Sequence, residues 1–236
     1  MSVVGKDIPH DSAVGHVSGE SIYIDDMPFA KNELLVDFVG SPVACGHIKS
    51  VDYSAALKIK GVVACYTYKD LPGVNKFGPI IQDEVLLCED HSSFIGEPIV
   101  VIAAETRKAL ARAKKAVKLE IEELEPILSV DAAISKQQFL DKTYRIARGD
   151  AERAIKEAKH KLEGTCVIGG QEHFYLESQA ALVVPGEYDQ LVVHSSTQHP
   201  SEIQQVLAKV LGLRQNQIVV VQAACWRRMR HSSVYV

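Results

Sequence analysis

The 236-residue chain carries 26 Lys and Arg against 30 Asp and Glu, a formal net charge of -4, and is 47% hydrophobic. That length holds one large or two modest domains with ample core, and the charge balance leaves no basic footprint for nucleic acid. No apolar run approaches the roughly 20 residues of a membrane span, and the charges and proline between Met1 and Ala13 are unlike a signal peptide, so the expected location is cytoplasmic.

Leu34 to Val39 is an apolar run that suits a strand. Asp52 is placed to cap a short helix through Ile59, which Gly61 stops before Val62 to Tyr66 resumes as strand. Pro72, Gly73, Gly78 and Pro79 mark a long irregular connection. Pro98 opens a strand from Ile99 to Ala103, after which Thr106 caps a helix. In that helix Ala109, Leu110, Ala113, Ala116 and Val117 share one face. Arg107, Lys108, Arg112, Lys114 and Lys115 cover the rest, and without partnering aromatics they read as a solvated surface. Val117, Leu119 and Ile121 then alternate with Lys118, Glu120 and Glu122, which is strand periodicity.

Pro126 to Lys142 reads as a connecting arm. Asp150 precedes a second amphipathic helix in which Ala151, Ala154, Ile155 and Ala158 recur at helical spacing, and a strand follows up to Ile168. Ala180 to Val184 and Leu191 to His194 form a hairpin about Pro185-Gly186. Pro200 to Leu211 is a helix with Ile203, Val206, Leu207 and Val210 on one face, Gly212 at its end, and the strand Ile218 to Val221 beyond. The chain is therefore α/β (α+β), two units joined by an arm.

Five cysteines, Cys45, Cys65, Cys88, Cys166 and Cys225, are scattered and never form a Cys-x-x-Cys pair. That pattern suits neither a zinc site nor a disulfide framework, and reads as reduced, buried small hydrophobes. His10, His16, His194 and His199 have no carboxylate or cysteine at ligand spacing and are structural or surface residues.

Residues Gly169 to Glu177 read Gly-Gly-Gln-Glu-His-Phe-Tyr-Leu-Glu. Paired glycines let a backbone approach a ligand closely, and the Gln171 amide donates or accepts without carrying charge. Phe174, Tyr175 and Leu176 supply apolar anchorage behind it. Two glycines and a glutamine also suit a plain turn into a strand. His173 and Glu177, four apart, fall in a block more extended than helical and read as packing residues rather than a metal pair.

As a whole, that nonapeptide resembles the block carried by xanthine dehydrogenases and aldehyde oxidases in their molybdenum-binding part. Val4-Gly5-Lys6, Ile8 to Ala13, His16 to Glu20 and Tyr23 to Pro28 are similar to the opening of the molybdopterin-binding subunit of that family. Phe94-Ile95-Gly96-Glu97-Pro98 with the apolar run to Ala104 resembles its Gly-x-Pro lead-in to a buried strand, and Glu122 to Pro126 its Glu-Glu-Leu-Pro stretch with one residue changed.

The resemblance implies an α/β hammerhead domain at residues 15–125, a connecting arm at 126–148, and the truncated start of the molybdenum-cofactor-binding domain at 149–236. It implies hydroxylation of a purine or an aldehyde with oxygen from water, as in hypoxanthine and xanthine to urate. The metal would be held by the dithiolene sulfurs of molybdopterin, and Gln171 would reach the molybdenum through the metal's oxygen ligand. A partner subunit would carry the 2Fe–2S clusters and FAD. No membrane or nucleic-acid partner is implied. Near residues 225–230 the resemblance breaks: Arg227-Arg228-Met229 fits, but Arg230 to Val236 lacks the family's glycine-rich loop. The general-base glutamate lies beyond the chain end, so no catalytic residue is assigned. A frameshift, a gene-model error or a genuine short product would each give this pattern, with a chain inactive by itself. The alternative is a non-catalytic α/β assembly or binding protein, or a fragment of an aldehyde oxidoreductase.

Overall fold

Six residues of α1 (Ala13–Ser18) bury nothing, and the core is built from the strands that follow. The computed structural model describes residues 4–9, 12–171 and 179–222. In chain order come β1 (Leu35–Gly40), β2 (Gly46–Asp52), α2 (Ser54–Leu57), β3 (Val62–Tyr66), β4 (Lys76–Phe77) and β5 (Glu84–Val85). Next are β6 (His91–Ser92), β7 (Pro98–Ala104), α3 (Arg107–Ala116) and β8 (Lys118–Glu123).

β7 is the centre of an antiparallel sheet ordered β1-β7-β3. Alternation assigns its faces. Asp37, Ile102 and Cys65 share one rung, and Phe38, Val101 and Tyr66 share the next, on the opposite face. α3 covers the first face. Thr106 caps it by accepting from the Ala109 N–H, and its buried Ala109, Leu110 and Ala113 join Ile102, Ala104 and Leu35 in one core. On the other face Val36, Phe38, Val63 and Tyr66 remain exposed.

The β1 edge of this sheet is blunted. The Phe38 N–H donates to Asp37 Oδ1 at 2.7 Å instead of standing open, and Lys114 on α3 pairs with the same carboxylate. A second sheet, β6-β2-β8, turns Ile48, Val51, Leu119 and Ile121 towards the same core.

Three local expectations change here. The helix expected from Asp52 to Ile59 is only Ser54–Leu57, with Tyr53 at its N-cap, while Asp52 Oδ1 accepts the Ser54 N–H at 2.9 Å. β2 escaped sequence reading because its His47, Lys49 and Ser50 break the apolar run. The connection after Pro72 contains the β4–β5 ribbon rather than irregular chain alone.

The described chain divides into two compact units, Met1–Leu124 with Tyr175–Val236, and Glu125–Phe174. The latter holds α4 (Val130–Ser135) and α5 (Ala151–Glu157), each capped by a side chain: Ser129 accepts from the Ala132 N–H and Asp150 from the Arg153 N–H. The strand expected up to Ile168 does not form. Residues 158–171 have no regular structure, and Val167 and Ile168 are exposed with no ladder partner among the described residues.

The first unit is completed by β9 (Ala181–Pro185), β10 (Leu191–Ser195), α6 (Pro200–Leu211) and β11 (Ile218–Gln222). The sheet order is β11-β10-β9, with β10 antiparallel to β9 and parallel to β11. The β9–β10 hairpin turns through residues 186–190, closed by the Gly186 N–H donating to Gln190 O at 2.7 Å. α6 lies over the sheet with Ala208 and Val210 buried, and Ala208 joins Val193 and the fully buried Ile218 in a second core.

Candidate functional site

Gln171 is exposed at the end of the irregular stretch that follows α5. A Cβ built on Gly169 or Gly170 meets nothing within 4 Å, so no cradle closes over the paired glycines among the described residues. What the position offers is chemistry: an uncharged amide, preceded by two residues without a Cβ and reachable from solvent. A neutral hydrogen-bonding amide is the kind of group a molybdopterin centre takes from a protein in place of protein ligands. His173, Phe174, Tyr175, Leu176 and Glu177 lie outside the described residues, as do His10, Cys225 and the arginines after it.

The histidines and cysteines considered as ligands are dispersed. His16 Nδ1 lies 3.4 Å from Tyr23 Oη, His194 is half-buried on β10, and His199 is exposed. Cys65 and Cys88 are buried, Cys45 is half-buried with Sγ 3.9 Å from His91 Nε2, and Cys166 is exposed, which corrects the expectation that the cysteines are buried. Cys166 sits in the stretch that forms no strand, so nothing packs over it. Among the described residues no three His, Cys, Asp or Glu side chains converge to hold a metal ion.

One buried polar cluster was not singled out from sequence. Glu97, 6% exposed, accepts the Ser93 N–H at 2.6 Å, and Ser41 donates its N–H to Glu97 O at 2.9 Å. Cys88 lies beside this carboxylate and donates to His91 O at 3.2 Å. Burial, reinforced by the Glu97 charge, pushes the Cys88 thiol up to about 12. Burial alone also raises the Cys65 thiol. Outside this cluster, the Lys49 ammonium holds the Glu122 carboxyl below its usual range. The only signal for Glu97 in the sequence was its place between Gly96 and Pro98, at the head of the buried strand.

Two family models match the chain in succession, and the second spans both of its compact units. Residues 18–125 match the model of the aldehyde oxidase and xanthine dehydrogenase a/b hammerhead domain, and residues 135–225 that of the molybdopterin cofactor-binding domain. The xanthine dehydrogenase of Dictyostelium discoideum is 44% identical over 216 residues, covering 92% of this chain and 16% of that protein. Aldehyde oxidase 1 of Bos taurus is 39% identical over 219 residues, with the same two shares. Among solved structures, the aldehyde oxidoreductase from Desulfovibrio gigas superposes with a TM-score of 0.78 at 25% identity, over 92% of this chain and 26% of that one. The aldehyde oxidoreductase from Desulfovibrio desulfuricans has the same fold, with a TM-score of 0.78 at 23% identity over 94% of this chain and 27% of that one. The chain thus spans 16% of the length of the curated relatives it matches. Its mixed helix-and-strand fold is that of the hammerhead followed by sequence of the cofactor-binding domain, and the chain belongs to the aldehyde oxidase and xanthine dehydrogenase family.

Proposed function

We propose that this chain supplies the hammerhead (residues 15–125), the connecting arm (126–148) and the opening of the molybdopterin-binding domain (149–236) of a xanthine dehydrogenase-like hydroxylase. The substrate of the complete enzyme is a purine, oxidised as hypoxanthine and xanthine to urate with water as oxygen source. Electrons leave through 2Fe–2S and FAD centres on a partner, and the enzyme is cytoplasmic. The observation that carries this reading is the match to xanthine dehydrogenases at 44% and 43% identity. Aldehyde oxidase 1, at 39%, lies within the 36–44% that the xanthine dehydrogenases span, so the purine is the part of the proposal that the turnover test decides. When bound, molybdopterin supplies the redox chemistry at the metal. The part of this chain is to hold the neutral Gln171 amide towards that centre. No general base is assignable among these residues, so the chain alone turns over neither hypoxanthine nor an aromatic aldehyde.

A second reading, a non-catalytic assembly protein, is favoured by one feature. Val36, Phe38, Val63 and Tyr66 leave an apolar area exposed on the hammerhead sheet, of the kind that marks protein contacts.

The test is Gln171→Ala in the complete enzyme. Turnover of hypoxanthine falls on the order of 10²-fold while bound molybdenum stays constant, as for loss of one preorganised donor. Wild-type turnover at unchanged molybdenum content overturns the role of Gln171. Turnover of aldehydes and not purines overturns the substrate.

A further inference from the structure

The last turn of α6 is completed by a loop from the hammerhead. A helix leaves its final four carbonyls without partners inside the helix. Here the Gly73 N–H donates to Val210 O at 2.9 Å and the Val74 N–H to Lys209 O at 3.0 Å. The helix's own continuation closes part of the end: the Leu213 N–H reaches Ala208 O at 2.9 Å, and the left-handed Gly212, at φ +64, donates its N–H to Lys209 O at 3.4 Å, so that carbonyl is shared with Val74. A Cβ on Gly73 would stand 1.9 Å from Lys209 O and 2.7 Å from Val210 O, so the contact requires glycine.

This loop is itself clamped by the side chain that follows it. Asn75 Nδ2 donates to Leu87 O at 2.8 Å and to Glu89 Oε1 at 2.9 Å, and its Oδ1 accepts the Leu87 N–H at 3.0 Å. One residue on, the Cys88 N–H donates to Pro98 O at 2.7 Å, at the head of β7. A continuous path of hydrogen bonds and short backbone links therefore runs from β7 through residues 87–89, Asn75 and Gly73 to α6. From there Gln204 Nε2 donates to Ile218 O at 2.7 Å, and Leu207, Ala208 and Leu213 pack with Ile218 of β11.

We propose that the Pro72–Val74 loop is a tether by which the hammerhead fixes α6 and β11. The stretch matched to the cofactor-binding domain then takes its position from the hammerhead as well as from its own sheet. The names of the two domains rest on the family assignment, but the tether is a property of this chain's backbone and needs no cofactor.

Amide hydrogen exchange on the full 236-residue chain tests it, with Gly73→Ala, Asn75→Ala, the double variant, and Lys49→Ala as a surface control. Both single variants speed exchange about tenfold or more at residues 73–74, the last turn of α6 and β11, while β7 keeps its protection. The double variant is no faster than the faster single one, because both changes cut the same path. Should Gly73→Ala fail to fold, Asn75→Ala and Asn75→Ser carry the comparison alone. Wild-type protection of α6 and β11 in the Asn75 variants overturns the tether. Acceleration that reaches β7 equally also overturns it, since the contact is then a general stability element. No substrate or molybdenum enters the readout, so either result leaves the functional reading to its own test.

Discussion

A Cβ on Gly40 would stand 2.5 Å from the carbonyl oxygen of Gly96, so the end of β1 and the turn before β7 touch backbone to backbone. The neighbouring bonds keep them there: the Gly96 N–H donates to Ser41 O at 2.8 Å and the Ser41 N–H to Glu97 O. Gly40→Ala is expected to cost on the order of 2–4 kcal/mol by forcing this contact apart. Gly96→Ala has open space around it but a φ of +88, and is expected to cost about 1–3 kcal/mol through backbone strain. Denaturant unfolding of the two variants measures both. A Gly40→Ala protein as stable as wild type would mean that the two turns separate freely.

Cysteine reactivity should follow burial and charge. Among the four described cysteines, Cys166 is exposed and alkylates first at neutral pH, Cys45 follows, and Cys65 and Cys88 react only on unfolding. Mass spectrometry of a timed iodoacetamide reaction reads the order. Early labelling of Cys88 would contradict its burial.

The same thiol predicts alkaline sensitivity. Cys88 holds its proton to about 12 in the folded chain, against an ordinary thiol value of 9.0. The folded pKa is the higher one, so the contribution to stability is complete below the unfolded value and is lost as pH rises towards the folded one. Unfolding midpoints of the wild type are expected to fall more steeply above pH ~9 than those of Cys88→Ala. Parallel curves would remove Cys88 as the cause.

Asp37 guards the β1 edge, and its loss should show in solubility before stability. Asp37→Ala removes the acceptor of the Phe38 N–H and the partner of Lys114. The half-exposed ion pair contributes at most about 1 kcal/mol, but the freed edge adjoins exposed Val36 and Phe38. Light scattering during concentration is expected to rise for Asp37→Ala and not for Lys49→Ala. Equal scattering of the two would show that the edge is protected by other means.

Much of the fold was legible because its signals are local. Thr106 followed by small apolar residues at helical spacing defines α3, and Pro200 with Gly212 brackets α6. β2 was hidden because its polar residues face out and only Ile48 and Val51 mark the inner side, which no continuous run reveals. The strand expected before Gln171 failed for the opposite reason: Val167 and Ile168 are apolar enough, but a strand needs a neighbour. Gln171 itself was found through the resemblance of its block rather than through any spacing. Gly73 looked like punctuation in a loop. Its purpose depends on the end of a helix far along the chain, and no window of sequence contains both.

That separation has a consequence for the order in which the molecule can be made. The hairpin of β9 and β10 closes locally, but β11 pairs in parallel with β10 and must wait for α6 to bring it back. Residues 72–74 and their Asn75 clamp leave the ribosome well before α6 does. During synthesis the hammerhead can therefore finish folding and present its two amide groups before the helix that needs them exists. A helix born next to a ready-made stop is spared fraying at its last turn, and the late parallel pairing of β11 is shortened to the docking of an already ended segment.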